Sequence, residues 1–139
     1  MSASDLRFDD LIGLKFVDGG RDVASGLDCW GLVLEVFKRA GVALPDYQIG
    51  CHDTDAIGAA VEGERLLGRW RHWHAHDAPV PSLVAIRFNS PLIVNHTGVY
   101  IGGGRFLHTR ELTGVAVERI DSPSWKRRIE GFYTPEGRF

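Results

Sequence analysis

Three groups of residues in this chain have the types and spacing to do chemistry. The first is Cys29, which follows Asp28 and opens the segment CWGLVLEVFKRAG. At the first turn of a helix the unpaired N–H groups carry partial positive charge and favour a thiolate, and pairing with an imidazolium can lower a cysteine pKa to about 3–4. A thiol there suits nucleophilic attack, although a small buried side chain that begins a helix would read the same way. The second group supplies a partner: VNHTGVYIGGGRFLHT carries His96 and His108 on either side of a glycine turn. The third is RHWHAHD, where His72, His74 and His76 alternate and would share one face of an extended segment, as metal-binding histidines can. Interleaved Trp70, Trp73, Arg69 and Arg71 favour an exposed polar and aromatic edge over a metal site, so no metal or other cofactor is assigned.

A thiol nucleophile needs a base, and the base needs a third group to fix its ring and tautomer. If Gly102, Gly103 and Gly104 form a three-residue hairpin loop, Ile101 pairs with Arg105, Gly98 lies opposite His108, and His96 lies diagonal to it on the same face. His96 is then the base and His108 its orienting partner, with Gly98 leaving room between them. A two-residue loop would put the rings on opposite faces, because a one-residue slip inverts a strand. Two polar side chains on a solvated strand face are the plainer alternative.

These groups must be held by ordered elements. SDLRFDDLIGL has its apolar residues at helical spacing behind Ser4 or Asp5 and predicts a short helix, broken by the glycines of FVDGGRDVASGL. In the segment opened by Cys29, Leu32, Val33, Val36, Phe37 and Ala40 share a face, Lys38 and Arg39 sit near the end, and Gly41 and Pro45 close it. Asp28 is its natural N-cap. A second helix is expected in DTDAIGAAVEGERLLGRW, capped by Asp53 or Thr54 and weakened by two internal glycines. From Ser82 onward SLVAIRF, LIVNHTGVYIGG, RFLHTR and GVAVERI are short, rich in β-branched and aromatic residues and separated by turn formers, which predicts an antiparallel sheet. Helices before strands imply an α+β architecture in one domain spanning 1–139.

Composition narrows the function classes. A formal net charge of −2 and a pI near 6.3 leave no basic footprint for nucleic acid. MSASDLRFDD lacks the apolar run of a signal peptide, and no stretch approaches the length of a membrane span, so no export leader and no span are expected. Two cysteines in a chain of this size are expected as free thiols, and Cys51 and His52 are given no role.

Taken together, GLDCWGLVLEVFKRAGVALP, NHTGVYIGGGRFLHT and the order Cys, His, His resemble the NlpC family of cell-wall endopeptidases. The family pattern is an Asp-Cys-Ser-Gly helix start, a His-x-Gly-x-Tyr strand and a later His. The resemblance implies a papain-like fold, a helix carrying the cysteine packed on a sheet carrying the histidines. It also implies Cys29 as nucleophile, His96 as general base and His108 as orienting residue, with no cofactor, acting on the peptide part of peptidoglycan. Asp28 and Trp30, flanking the thiol, are the expected substrate-binding residues; by residue type alone, Asp28 could be only a cap and Trp30 a core aromatic. Four positions depart from the pattern: Trp30 replaces the serine, Phe16 a tyrosine, Asp18-Gly19-Gly20 a Trp-Gly-Gly, and Val80-Pro81-Ser82 a Pro-Gly-Asp. The DCWG and IEGFYTP segments resemble members encoded with bacteriophage tails, which implies other tail proteins as partners and a location in the virion, or in the bacterial cytoplasm before assembly. Two competing readings are a structural tail component with feeble catalysis and a thiol-dependent acyl or amide transferase.

Overall fold

The computed structural model describes residues 6–48 and 54–137. Two helices and a six-stranded antiparallel sheet make the expected α+β architecture. Helix α1 spans Cys29–Arg39 and α2 spans Thr54–Leu67. Two short strands precede α1, β1 at Arg21–Asp22 and β2 at Gly26–Leu27. The sheet comprises β3 (Trp70–Trp73), β4 (Ser82–Ile86), β5 (His96–Gly102), β6 (Arg105–Arg110), β7 (Gly114–Arg119) and β8 (Ile129–Pro135), in the order β3-β8-β4-β5-β6-β7.

Helix α1 forms because its apolar residues recur on one stripe and both ends are closed. The Asp28 carboxylate accepts the Gly31 N–H at 2.8 Å, and Gly41, at φ +84°, lets the Val42 N–H reach back to the Phe37 carbonyl. Leu32, Val33, Val36 and Phe37 are buried, while Ala40 is half-buried at the end of the stripe. They pack on Val99, Ile101, Leu107 and Val115 from the facing side of the sheet, with Leu11 and Leu27 beside them. Each such side chain contributes roughly 1.5–3 kcal/mol by leaving water, so this layer anchors the N-terminus of α1 over β5 and β6. The opposite face of the sheet carries a second cluster, Val84, Ile86, Tyr100, Phe106 and Phe132, closed by Trp125.

Several expectations change in detail. The first helix contracts to a single 3-10 turn at Asp9–Leu11 that buries Leu11, and the caps expected at Ser4, Asp5 and Asp53, with Cys51 and His52, lie outside the described residues. The second helix stops at Leu67, where Gly68 takes φ +64°, and Trp70 begins a strand instead of ending a helix. IEGFYTP forms β8, which inserts between β3 and β4.

The hairpin between the histidines is the most instructive correction. Gly102 pairs with Arg105, so the loop is the two residues Gly103 and Gly104, both at positive φ as such turns require. Tyr100 nevertheless pairs with Phe106 and Val99 with Leu107, because the register shifts between Tyr100 and Gly102 and leaves Ile101 as an extra residue. The bulge restores the parity that the shorter loop removes. His96 and His108 therefore share a face, and a Cβ added to Gly98 would lie 3.4 Å from the His108 Cβ and 2.6 Å from the Leu107 carbonyl.

Candidate active site

Cys29 is a buried cysteine at the first position of α1. The loop before it is locked onto the helix start by Asp28, which is fully buried. One carboxylate oxygen accepts from the Gly31 N–H at 2.8 Å and from Arg21 at 2.5 Å, and the other accepts from the Gly19 N–H at 2.9 Å. Arg21 in turn bridges to Asp46 at 3.0 Å. Gly31 permits the close approach, since a Cβ there would stand 2.1 Å from the Gly20 carbonyl. Asp28 thus positions the thiol as cap and anchor. It is not among the residues that line the cleft, and its oxygens are buried and engaged.

His96 opens β5, and His108 stands in the neighbouring strand β6. Their rings meet, His96 Nε2 to His108 Nδ1, at 3.1 Å. Both side chains are buried. Phe88 packs on His96 with ring centres 5.3 Å apart, and Trp125 covers His108 at 4.6 Å, so water is kept from the bond. Burial first, then the neighbouring His108 and Arg110, push the His96 pKa down to about 3. Burial also lowers His108, opposed by the Glu118 carboxylate, which lies 3.0 Å from His108 Nε2. Both rings are therefore neutral near pH 7. Glu118 was missed in the sequence; its signal was the alternation in GVAVERI, which puts Glu118 on the face of Ala116, the residue paired with His108.

A cleft opens beside the thiol. Cys29 shares it with Thr97 and Ala85; His96, paired with Ile86, points with His108 to the sheet face of the second cluster, and neither histidine lines the cleft. The opposite wall is apolar and aromatic: Trp30, Tyr47, Trp70 and Tyr133, with Ile57 and Val61 from α2. Trp30 both lines the cleft and packs against the core; its indole N–H donates to the Pro45 carbonyl at 3.0 Å, and its ring lies 5.1 Å from that of Tyr47. The charged groups on this wall are occupied, Glu64 with Arg69 and Arg65 with Glu130 at 2.7 Å. Tyr47 is held neutral, its pKa pushed up to about 12 by burial and by Glu64. The replacement residue Phe16 pairs through its backbone with Leu27 in the anchoring loop.

His72, His74 and His76 lie together at the β3 edge, with ring centres 5.2 and 6.1 Å apart. Among the described residues no group of three or more His, Cys, Asp or Glu is arranged to hold a metal ion. No helix among them is long and apolar enough to cross a membrane.

A cysteine opening a helix that lies on an antiparallel sheet with paired histidines on adjacent strands defines a papain-like α+β domain. Residues 13–134 match the NlpC/P60 family, and the chain belongs to it. It is 28% identical over 122 residues to gamma-DL-glutamyl hydrolase of Bacillus subtilis, covering 86% of this chain and 26% of that protein. It is 27% identical over 123 residues to the murein DD-endopeptidase MepS/murein LD-carboxypeptidase of Escherichia coli, covering 88% of this chain and 56% of that one. The chain therefore spans from about a quarter to just over half the length of these curated relatives. Among solved structures, an NlpC/P60 family protein from Bacillus cereus superposes with a TM-score of 0.66 at 19% identity, over 95% of this chain and 39% of that one. A lipoprotein-like NLP/P60 protein from Staphylococcus aureus gives 0.65 at 20% identity, over 98% and 42%.

Proposed function

We propose that the protein is a cysteine peptidase that hydrolyses amide bonds in the peptide part of peptidoglycan, with Cys29 as nucleophile, His96 as general base and His108 orienting it. The observation that carries this reading is the buried 3.1 Å contact between His96 and His108, with Thr97, the residue next to His96, lining the cleft that Cys29 opens onto. In the reaction, His96 takes the thiol proton as sulfur attacks the amide carbonyl, and then gives it to the departing amine. Water, activated by the same ring, hydrolyses the thioester and regenerates the thiol. The backbone N–H of Cys29, at the positive end of α1, would hold the developing oxyanion, and one such donor is worth about 2.7–4 kcal/mol in the transition state.

The murein endopeptidase of Escherichia coli supports peptidoglycan as the substrate, and the γ-DL-glutamyl hydrolase of Bacillus subtilis supports a glutamyl amide as the bond. Incubation with purified muropeptides, read by the masses of the products, identifies the bond. In that assay His96→Ala should lower the rate by about 10³-fold, within the usual span for a general base. An unchanged rate overturns the assignment. The tail association rests on the DCWG and IEGFYTP segments alone. Detection of the chain by mass spectrometry in purified tailed particles tests it.

A further inference from the structure

The histidine pair has a proton-ordering problem that its own two rings do not solve. Two neutral imidazoles joined Nε2 to Nδ1 have two arrangements. In one, His96 donates from Nε2 and keeps Nδ1 bare; in the other, His108 donates from Nδ1, and the single proton of His96 sits on Nδ1. Only the first leaves His96 an empty nitrogen with which to receive the thiol proton. The pair alone is symmetric with respect to this choice.

We infer that Glu118 on β7 breaks the symmetry and is a positioning residue of the site, selecting the tautomer of His108 and through it that of His96. Its carboxylate oxygen lies 3.0 Å from His108 Nε2. A carboxylate only accepts, so Nε2 carries the hydrogen, Nδ1 of the neutral ring is bare, and the bond to His96 runs from His96 Nε2–H to His108 Nδ1. The reverse arrangement would set the bare Nε2 against a negative oxygen. The fold fixes the geometry: Phe106 pairs with Glu118 and His108 with Ala116, so Glu118 is diagonal to His108 on one face. Trp125 and Phe106 flank the His108 ring, with centres 4.6 and 5.5 Å away, so it cannot turn to exchange its nitrogens without displacing them. When His96 takes up the thiol proton, Nε2–H already points at a lone pair backed by a negative charge, and no reorientation is needed. Glu118 is about a third exposed, and its contact with the pair runs through His108 Nε2.

This inference deepens the peptidase reading and rests on it, but its test does not depend on turnover. Nitrogen-15 NMR of the imidazoles reports which nitrogen is protonated. The native protein should show His108 as the Nε2–H tautomer and His96 likewise. Glu118→Gln, whose amide oxygen can still accept, should keep both tautomers and most of the activity. Glu118→Lys replaces the acceptor by a donor and should move the His108 proton to Nδ1. On muropeptides it should lower kcat by about 100-fold with KM little changed and thermal unfolding near that of Glu118→Gln. A His108 ring that stays Nε2–H in Glu118→Lys, or equal kcat in the Gln and Lys variants, overturns the inference. If tautomers switch as expected while the native protein cuts no muropeptide, the ordering role stands and the substrate assignment falls.

Discussion

The polar contacts around the histidine pair and the apolar wall of the cleft are built on different principles. The start of α1 and strands β5 to β7 hold a set of directional contacts: a fully engaged Asp28, two rings at 3.1 Å, and a carboxylate behind them. The wall formed by Trp30, Tyr47, Trp70, Tyr133 and α2 is an apolar surface whose charges pair among themselves. Contacts of the first kind have one working geometry, and a missing partner leaves a buried polar group unsatisfied. Apolar contacts are non-directional and tolerate substitution. Under the proposed peptidase reading, the first would set the chemistry and the second which peptide fits.

Substitutions on the two sides should therefore fail in different ways. The largest loss of stability is expected at Asp28. Asp28→Ala strips the cap from α1, orphans the Gly19 and Gly31 N–H groups and leaves Arg21 without its buried partner, costing about 3 kcal/mol in urea unfolding. A cost no greater than that of an exposed substitution would mean that the anchor is dispensable. Next is the pH response. His96 titrates near 3 in the folded protein and near 6.5 when unfolded, so between those values the unfolded chain binds more protons and stability rises with pH. Stability should be flat above about pH 6.5 and fall below it with a slope approaching about 1.4 kcal/mol per pH unit for this ring, steepened by His108, whose pKa is also lowered. In His96→Gln the slope should shrink by that amount; an unchanged slope would place the titration elsewhere.

On the apolar wall the expected effects are smaller and kinetic. Trp70→Ala should raise KM about tenfold, equivalent to about 1.4 kcal/mol of ground-state contact, while kcat stays within about threefold. A collapse of kcat would tie this wall to the chemistry. The smallest effect is at the outer side of α2, where Leu66 is 89% exposed and Leu66→Ser should change stability by no more than about 0.5 kcal/mol.

What could be read from residues follows the same division. Helix α1, its cap and the shared face of His96 and His108 depend on local periodicity, and each was legible. The glycine run predicts a three-residue turn; the chain uses two glycines and a bulge at Ile101, and the side-chain parity holds because the bulge adds back the residue that the turn omits. Bulges follow from pairing with a neighbouring strand, which a single segment does not display. β3 and β8 were missed for a related reason. Trp70–Trp73 is short and polar, Ile129–Pro135 contains Gly131, and each becomes a strand by pairing with the other across the length of the chain. Glu118 belongs to the same class, since its role appears only once the β6–β7 register is known. The cleft itself was not legible, because Tyr47, Trp70 and Tyr133 come together only when α2 and the β3 edge are folded against the sheet.

The central claim is that one sulfur does the chemistry. Its most direct test is muropeptide hydrolysis by purified Cys29→Ala, with unfolding measured alongside. Removing a small buried sulfur should leave the domain folded while product formation drops to background. Hydrolysis at more than background by a folded Cys29→Ala protein would contradict the account.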